Sequence, residues 1–168
     1  GQWTAKGFER VLHSCNTDRT QRFLICLAPQ PRSDQSPILG QINMNEIVRG
    51  AFHSAYLGYW IGAPYVNRGY MTAALRLALH HAFHTLKLHR VEANIQPHNT
   101  PSLAAVKKLG FRLEGLSPLY LKINDVWADH ERWALTLEDY AANPALAVHP
   151  IKPHRRSTAT RSPRRTAR

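Results

Sequence analysis

Cysteine, acidic residues and long apolar runs are all scarce in this sequence of 168 residues. Two cysteines are too few for a disulfide framework, so a reducing, cytoplasmic setting is expected. No run approaches the roughly 18 apolar residues of a membrane span, and the first residues lack the pattern of a signal peptide. We therefore expect no membrane span. With 43% apolar residues, the chain still has enough apolar material for the core of one domain.

The shortage of acidic residues is concentrated at the C-terminal end. The whole chain has 22 Lys and Arg against 11 Asp and Glu, and residues 141–168 contain seven of the basic residues and no acidic one. This segment also has four prolines and few large apolar side chains, which predicts a disordered tail. Its charge suits either a contact with nucleic acid or simple solubilisation. The folded domain is expected in residues 1–140.

Apolar periodicity predicts the order α β β β α β α β β, a mixed α/β (α+β) domain. Helix-like spacing marks the first twelve residues and then residues 71–86 and 100–109, where Asn99 suits the N-cap and Gly110 the C-terminal end. Strand patterns cover residues 22–29, 38–48, 55–61, 90–95, 113–123 and 126–137. Short turns between the first three strands predict an antiparallel meander.

A strand, a basic loop with a glycine and a helix start follow one another in residues 59–72. Free backbone N–H groups and the positive end of the helix dipole favour an anion at such a helix N-terminus. Gly69 would let the backbone approach the anion closely, and Arg68 adds charge. The loop lacks the Gly-Lys-Ser/Thr of a P-loop and the G-x-G-x-x-G of a dinucleotide site. An anion site and an ordinary helix entry both stay open on this evidence.

Several short motifs, in this order, resemble the Gcn5-related N-acetyltransferase (GNAT) family, and most of all its ribosomal-protein-alanine N-acetyltransferase branch. The motifs are Tyr-Leu-Gly-Tyr-Trp-Ile-Gly at 56–62, His-Arg-Val-Glu-Ala-Asn at 89–94, Pro-His-Asn at 97–99, Leu-Gly-Phe at 109–111, Glu-Gly at 114–115 and Asp-His at 129–130. The resemblance covers residues 38–137. It implies a mostly antiparallel sheet with flanking helices, in which two splayed strands bind acetyl-CoA. The family's N-terminal strand and first helix are expected to be missing here.

The resemblance also implies which residues bind acetyl-CoA. The family loop Gln/Arg-x-x-Gly-x-Gly/Ala falls on residues 66–71, with Val66 in place of Gln/Arg and Met71 in place of the small residue. Thr72 could turn its hydroxyl towards a phosphate. The splayed strand would bond the pantetheine arm near Trp60 and Ile61. The expected cofactor-binding residues are Trp60, Ile61, Val66, Asn67, Arg68, Gly69, Tyr70, Met71, Thr72 and Asn99.

The same resemblance implies direct transfer of acetyl from acetyl-CoA to a primary amine, with Ser102 or Tyr120 as the group that protonates the departing thiolate. Some relatives carry an acid immediately before this tyrosine, and Leu119 replaces it here. Glu92, Tyr120, His98 or a water relay are then the candidates for a general base. An α-amino group has a pKa of about 7.7–8.0 and needs less help from a base than a lysine does.

The preferred acceptor is therefore a protein N-terminal amine, and the family branch that the chain resembles implies that of a ribosomal protein. Two alternatives stay open: a small-molecule amine, and a non-catalytic module that binds CoA or the ribosome. His80 and His84 lie one helical turn apart, but no third ligand is evident, so no metal is expected. Ser, His and Asp are present without a G-x-S-x-G frame, so triad chemistry is not expected.

Overall fold

The computed structural model describes residues 16–27 and 37–147 of the chain. The helix expected in the first twelve residues and the last part of the expected tail, residues 148–168, lie outside the described residues.

Six strands form a single mixed sheet in the described part of the chain. They are β1 Gln21–Cys26, β2 Ile38–Val48, β3 Ser54–Ile61, β4 Arg90–Ile95, β5 Arg112–Ile123 and β6 Val126–Thr136. Their order across the sheet is β1-β2-β3-β4-β6-β5, and β3 with β4 is the parallel pair. The meander and the hairpin of β5 and β6 are antiparallel. The expected mixed, mostly antiparallel α/β fold is confirmed.

Three α-helices accompany the sheet in the described residues: α1 Tyr70–His80, α2 Thr100–Lys108 and α3 Leu137–Ala142. Helix α1 continues as a π-helical turn over His81–Thr85, so the two together match the helix predicted at 71–86. It crosses from β3 to the parallel strand β4, as such a pair requires. Helix α3 was not predicted from the sequence.

The fold continues beyond residue 140, where the domain boundary was expected. The Thr136 hydroxyl caps α3 by accepting a hydrogen bond from the Asp139 N–H at 3.3 Å. A short 3₁₀ turn, Pro144–Leu146, follows, and Leu146 is only 1% exposed within the hydrophobic core. One apolar side chain among small and polar neighbours gives no periodic signal, so the boundary was set too early.

The hydrophobic core lies between one face of the sheet and helices α1 and α2. Strand β4 alternates strictly, with Val91, Ala93 and Ile95 buried, because successive side chains of a strand point to opposite faces. Val91 pairs with Leu135 of β6, and both are fully buried. The helices complete this core with Leu75, Leu79, Leu103 and Val106.

Strands β3 and β4 stay together for only three residue pairs. Ser54 lies opposite Arg90, and the last pair is Tyr56 with Glu92. Beyond that pair β3 is bonded to β2 as far as Ile61, while β4 is bonded to β6 as far as Ile95. The two strands therefore diverge, which confirms the expected splay and opens a gap in the middle of the sheet.

Candidate functional site

The gap between the diverging strands opens into a cavity of about 480 Å³. Its walls come from the end of β3, the loop after it, the first turn of α1 and the start of α2. All the predicted site residues except Arg68 and Tyr120 line this cavity. The lining residues among them are Trp60, Ile61, Val66, Asn67, Gly69, Tyr70, Met71, Thr72, Asn99 and Ser102. The fold thus brings two distant stretches of sequence to one place.

Two left-handed backbone positions shape the loop that leads into α1. Asn67 has a φ of 58° and Gly69 a φ of 81°, and Gly69 is the N-cap of the helix. A Cβ at Gly69 would meet nothing within 4 Å, so the glycine is required by its backbone conformation and not by crowding. Met71, which replaces a small residue of the family loop, packs against the hydrophobic core and also lines the cavity.

The first turn of α1 presents free backbone donors at the cavity. Within the described residues, the N–H groups of Tyr70, Met71 and Thr72 have no hydrogen-bond acceptor. The following N–H, that of Ala73, donates to the Gly69 carbonyl at 3.0 Å and starts the helical ladder. Since no acidic side chain lies in this turn, the helix dipole is uncompensated there. The arrangement can hold an anion.

The side chains that line the cavity carry positive charge only. Lys108, near the end of α2, is the charged side chain in the lining, and no acidic residue of the described chain joins it there. Its neighbour Lys107 turns away, with Nζ 5.4 Å from the centre of the Trp133 ring. These two neighbouring lysines therefore have different surroundings. Arg68 is exposed and does not line the cavity.

The start of α2 places Asn99 and Ser102 together at the cavity. The Asn99 side-chain oxygen accepts a hydrogen bond from the Ser102 backbone N–H at 3.3 Å, so Asn99 is the N-cap that its position predicted. This bond fixes the first turn of α2 and leaves the Ser102 hydroxyl for other contacts.

Tyr59 is a cavity residue that the sequence analysis missed. Its side chain lines the cavity, and its hydroxyl is buried without a hydrogen bond to any described residue. Burial raises the pKa of Tyr59, and the Ser102 side chain beside it acts in the opposite direction. The two hydroxyls are neighbours that do not close a hydrogen bond here. The available signal was strand alternation, since Tyr59 shares a face with Ile61.

Tyr120 lies on the opposite face of the sheet from Tyr59. Its ring centre is 6.2 Å from that of His130, and it approaches Tyr56, whose side chain points away from Tyr59 because side chains alternate along β3. The pKa of Tyr56 is raised by burial first, and then by the nearby charge of Glu92. The structure therefore does not bring Tyr120 into the cavity that holds Ser102.

The remaining base candidates differ in their surroundings. Glu92, at the point where the strands diverge, accepts a hydrogen bond from Arg90 Nε at 2.9 Å. Asn94, the next residue of β4 on the same face, has a buried side-chain oxygen without a partner in the described chain. His98 is exposed at the turn before α2. Leu119 is exposed at a bulge of β5, where its N–H donates to Asp129 Oδ1 at 2.8 Å.

Two other expectations concern metal ions and membranes. His80 and His84 stack with their ring centres 4.5 Å apart, yet the described residues contain no group of three His, Cys, Asp or Glu side chains placed to hold a metal ion. No helix in the described part of the chain is long and apolar enough to cross a membrane.

Comparison with known proteins supports the family resemblance. The model of the acetyltransferase (GNAT) domain family matches residues 2–112. The [ribosomal protein uS5]-alanine N-acetyltransferase of Escherichia coli is 41% identical over 107 residues, which is 64% of this chain and 55% of that protein. The probable N-acetyltransferase YjcK of Bacillus subtilis is 40% identical over 102 residues, which is 61% of this chain and 56% of that protein.

A solved structure has the same fold. Mycobacterium smegmatis RimJ in complex with CoA-disulfide superposes with a TM-score of 0.69 and 33% sequence identity, over 80% of this chain and 63% of that one. The chain spans little more than half the length of the curated relatives that it matches. Since the family model covers well over half of these residues and the splayed sheet agrees with it, the chain belongs to the GNAT acetyltransferase family.

Proposed function

We propose that this chain transfers the acetyl group of acetyl-CoA to a primary amine, and that the acceptor is the α-amino group of a protein N-terminus. The observation that carries the proposal is the cavity lined by the end of β3, the loop after it and the starts of α1 and α2, where the N–H groups of the first turn of α1 are free. A cytoplasmic setting, expected from the scarcity of cysteine, belongs to the same proposal.

Acetyl-CoA fits the polar groups of the cavity. Its pyrophosphate would take the N–H groups of Tyr70, Met71 and Thr72, and the positive charge of Lys108 adds to their attraction. The pantetheine arm would lie along the β3 edge at Trp60 and Ile61, because β4 has left that edge without a strand partner. Its thioester would then end near the start of α2.

The reaction needs few groups from the protein. The lone pair of a neutral amine attacks the thioester carbon, the C–S bond breaks, and the electron pair leaves with sulfur. The nitrogen must lose one proton and the sulfur must gain one. Ser102 lines the cavity and is proposed to give its hydroxyl proton to the thiolate. With a pKa of about 7.7–8.0, an α-amine is partly neutral at pH 7 and can attack without a strong base.

The acceptor is proposed to approach from the other face of the sheet. Glu92 and the unpaired side-chain oxygen of Asn94 lie there, beside the gap. Both can accept hydrogen bonds from an amine, and the Glu92 carboxylate attracts a positive N-terminus. The name of the E. coli relative favours an alanine N-terminus of a ribosomal protein as the first acceptor to test.

Two measurements test the proposal together. Acetyl-CoA should raise the melting temperature, with a stabilisation of about 2.7 kcal/mol at a hundredfold excess over Kd. Peptides that begin with alanine should then release free thiol from acetyl-CoA, and faster than spermidine or free amino acids do. Stabilisation without thiol release from any amine would favour the binding module, and faster release with spermidine would favour a small-molecule acceptor.

A pair of glycine variants locates the cofactor. Gly69→Glu places a carboxylate at the free N–H groups, so it should abolish stabilisation by acetyl-CoA through repulsion of the pyrophosphate. Gly50→Glu is the matched control, because Gly50 also has a positive φ, 70°, and also has nothing within 4 Å of a new Cβ. Both variants should lose similar stability without ligand. Equal responses of the two to acetyl-CoA would place the pyrophosphate elsewhere.

A further inference from the structure

Two hydroxyl groups lie close together in the lining of the cavity, one from each side of the splay. Tyr59 comes from β3 and Ser102 from the first turn of α2, which follows β4. Both side chains line the cavity, and they are close enough for Ser102 to influence the ionisation of the phenol. The Tyr59 hydroxyl is nevertheless buried without a completed hydrogen bond to any described residue.

An unpaired buried hydroxyl is unfavourable for the folded state, since it loses its hydrogen bonds to water and gains none in return. Phenylalanine would supply the same ring packing without that cost. The fold therefore gains nothing from the Tyr59 oxygen, and groups that a fold retains against its own stability are typical of functional sites. Tyr140 offers a comparison, because its buried hydroxyl is also unpaired but does not line the cavity.

We propose that Tyr59 is a positioning residue for acetyl transfer, whose phenolic O–H donates a hydrogen bond to Ser102 Oγ and turns the Ser102 proton towards the departing sulfur. The inference rests on the proposed function and deepens it. The hydroxyl pair closes when the thioester lies beside it, in keeping with the general finding that catalytic hydrogen bonds are long before substrate binds.

The phenol has the right protonation state for this role. Burial raises the pKa of Tyr59 above its ordinary value near 10, so the phenol is a donor throughout the neutral range. As Ser102 gives its proton to the sulfur, negative charge develops on Oγ, and the phenolic O–H stabilises it by a charge-assisted hydrogen bond. Ser102 recovers a proton from the nitrogen, which must lose one to become an amide. The phenol keeps its own proton.

A double-mutant cycle tests the coupling. Tyr59→Phe and Ser102→Ala should each lower kcat about tenfold, with the KM for acetyl-CoA unchanged, because neither hydroxyl is needed to bind the cofactor. If Tyr59 acts through Ser102, the double variant should be no slower than Ser102→Ala alone. Tyr140→Phe, the matched control, should leave kcat unchanged, and Tyr59→Phe should melt no lower than the wild type. Wild-type kcat in Tyr59→Phe, or additive losses in the double variant, would overturn the proposal.

A titration tests the contact without any turnover. In ¹³C-tyrosine NMR, with the Tyr59 signal assigned by its absence from Tyr59→Phe, the pKa of Tyr59 should rise further in Ser102→Ala, because the serine partly offsets the effect of burial. If the pKa of Tyr59 does not change in Ser102→Ala while the wild type transfers acetyl normally, the role of Tyr59 is overturned and the proposed function stands. A wild-type chain that acetylates no amine overturns the proposed function and the catalytic use of the pair with it.

Discussion

Gly40 offers a way to move the end of β3 without substituting a residue that lines the cavity. Gly40 lies on β2 opposite Ile61. A Cβ built there would lie 2.2 Å from the Trp60 carbonyl oxygen and 2.9 Å from the Ile61 Cα. Gly40→Ala therefore forces the backbone at Trp60 and Ile61 outwards, and this is the segment proposed to bond the pantetheine arm.

The size of the effect follows from the contact. To restore an ordinary separation of 3.4 Å, the Trp60 carbonyl must move by about 1 Å, at a typical overpacking cost of about 1–3 kcal/mol. For a domain of this size the melting temperature should fall by roughly 3–10 °C. Because the displaced segment is the one proposed to bond the pantetheine arm, the loss of one such hydrogen bond, worth about 0.5–1.5 kcal/mol, should weaken acetyl-CoA binding by up to about tenfold.

Gly58→Ala is the matched control. Gly58 lies on β3 itself, and the nearest atom to a new Cβ there is Asn45 Nδ2 at 3.7 Å, which is an ordinary contact. This variant should change the melting temperature little and keep the wild-type affinity. Isothermal titration calorimetry with acetyl-CoA, after circular dichroism has shown that each variant folds, measures the difference. A folded Gly40→Ala with wild-type affinity would refute the placement of the ligand along the end of β3.

Two further predictions concern charged side chains. Lys108→Ala should weaken acetyl-CoA binding about fivefold, equivalent to about 1 kcal/mol. Lys107→Ala should leave the affinity unchanged, because Lys107 lies over the Trp133 ring. Equal effects of the two variants on Kd would show that Lys108 does not contact the ligand. Arg90 holds the pKa of Glu114 below its ordinary value. At pH values above the unfolded pKa of about 4.3, the wild type should therefore be about 1 kcal/mol more stable than Glu114→Gln. This advantage should disappear as the pH falls through the lower pKa of the folded state. Urea unfolding of both proteins at pH 7 and pH 3 checks this sign, and a difference that persists undiminished at low pH would contradict it.

Elements with strong local signals were predictable. The apolar spacing of residues 71–86 predicted α1, and Asn99 with Gly110 marked the limits of α2, because these signals act within one or two turns of chain. Helix α3 and the burial of Leu146 were not predicted. Their stability comes from packing against the core, and a six-residue helix carries too short a pattern to reveal it.

The part of the candidate site formed by backbone groups was predictable from the sequence, whereas the placement of its side chains was less so. Gly69 and the helix start after it indicated an anion site from sequence, because the free N–H groups of a first turn follow from local geometry alone. The separation of Ser102 from Tyr120 depended on which face of the sheet each occupies. The proximity of the Tyr59 and Ser102 side chains depended on the distance between β3 and α2. No local pattern encodes these distances.

Sequence by itself determined the class of fold, the order of its elements from β1 to β6, the loop that enters α1 and the family to which the chain belongs, since short-range periodicity and ordered motifs carry that information. Only the tertiary structure decided that β3 and β4 part after Tyr56 and Glu92, that Lys108 and not Lys107 lines the resulting cavity, and that an unpaired phenol lies beside Ser102. These facts depend on long-range strand pairing and on which side of the sheet each residue occupies. A shift of one residue in the register of β3, for example, would turn Tyr59 to the opposite face of the sheet.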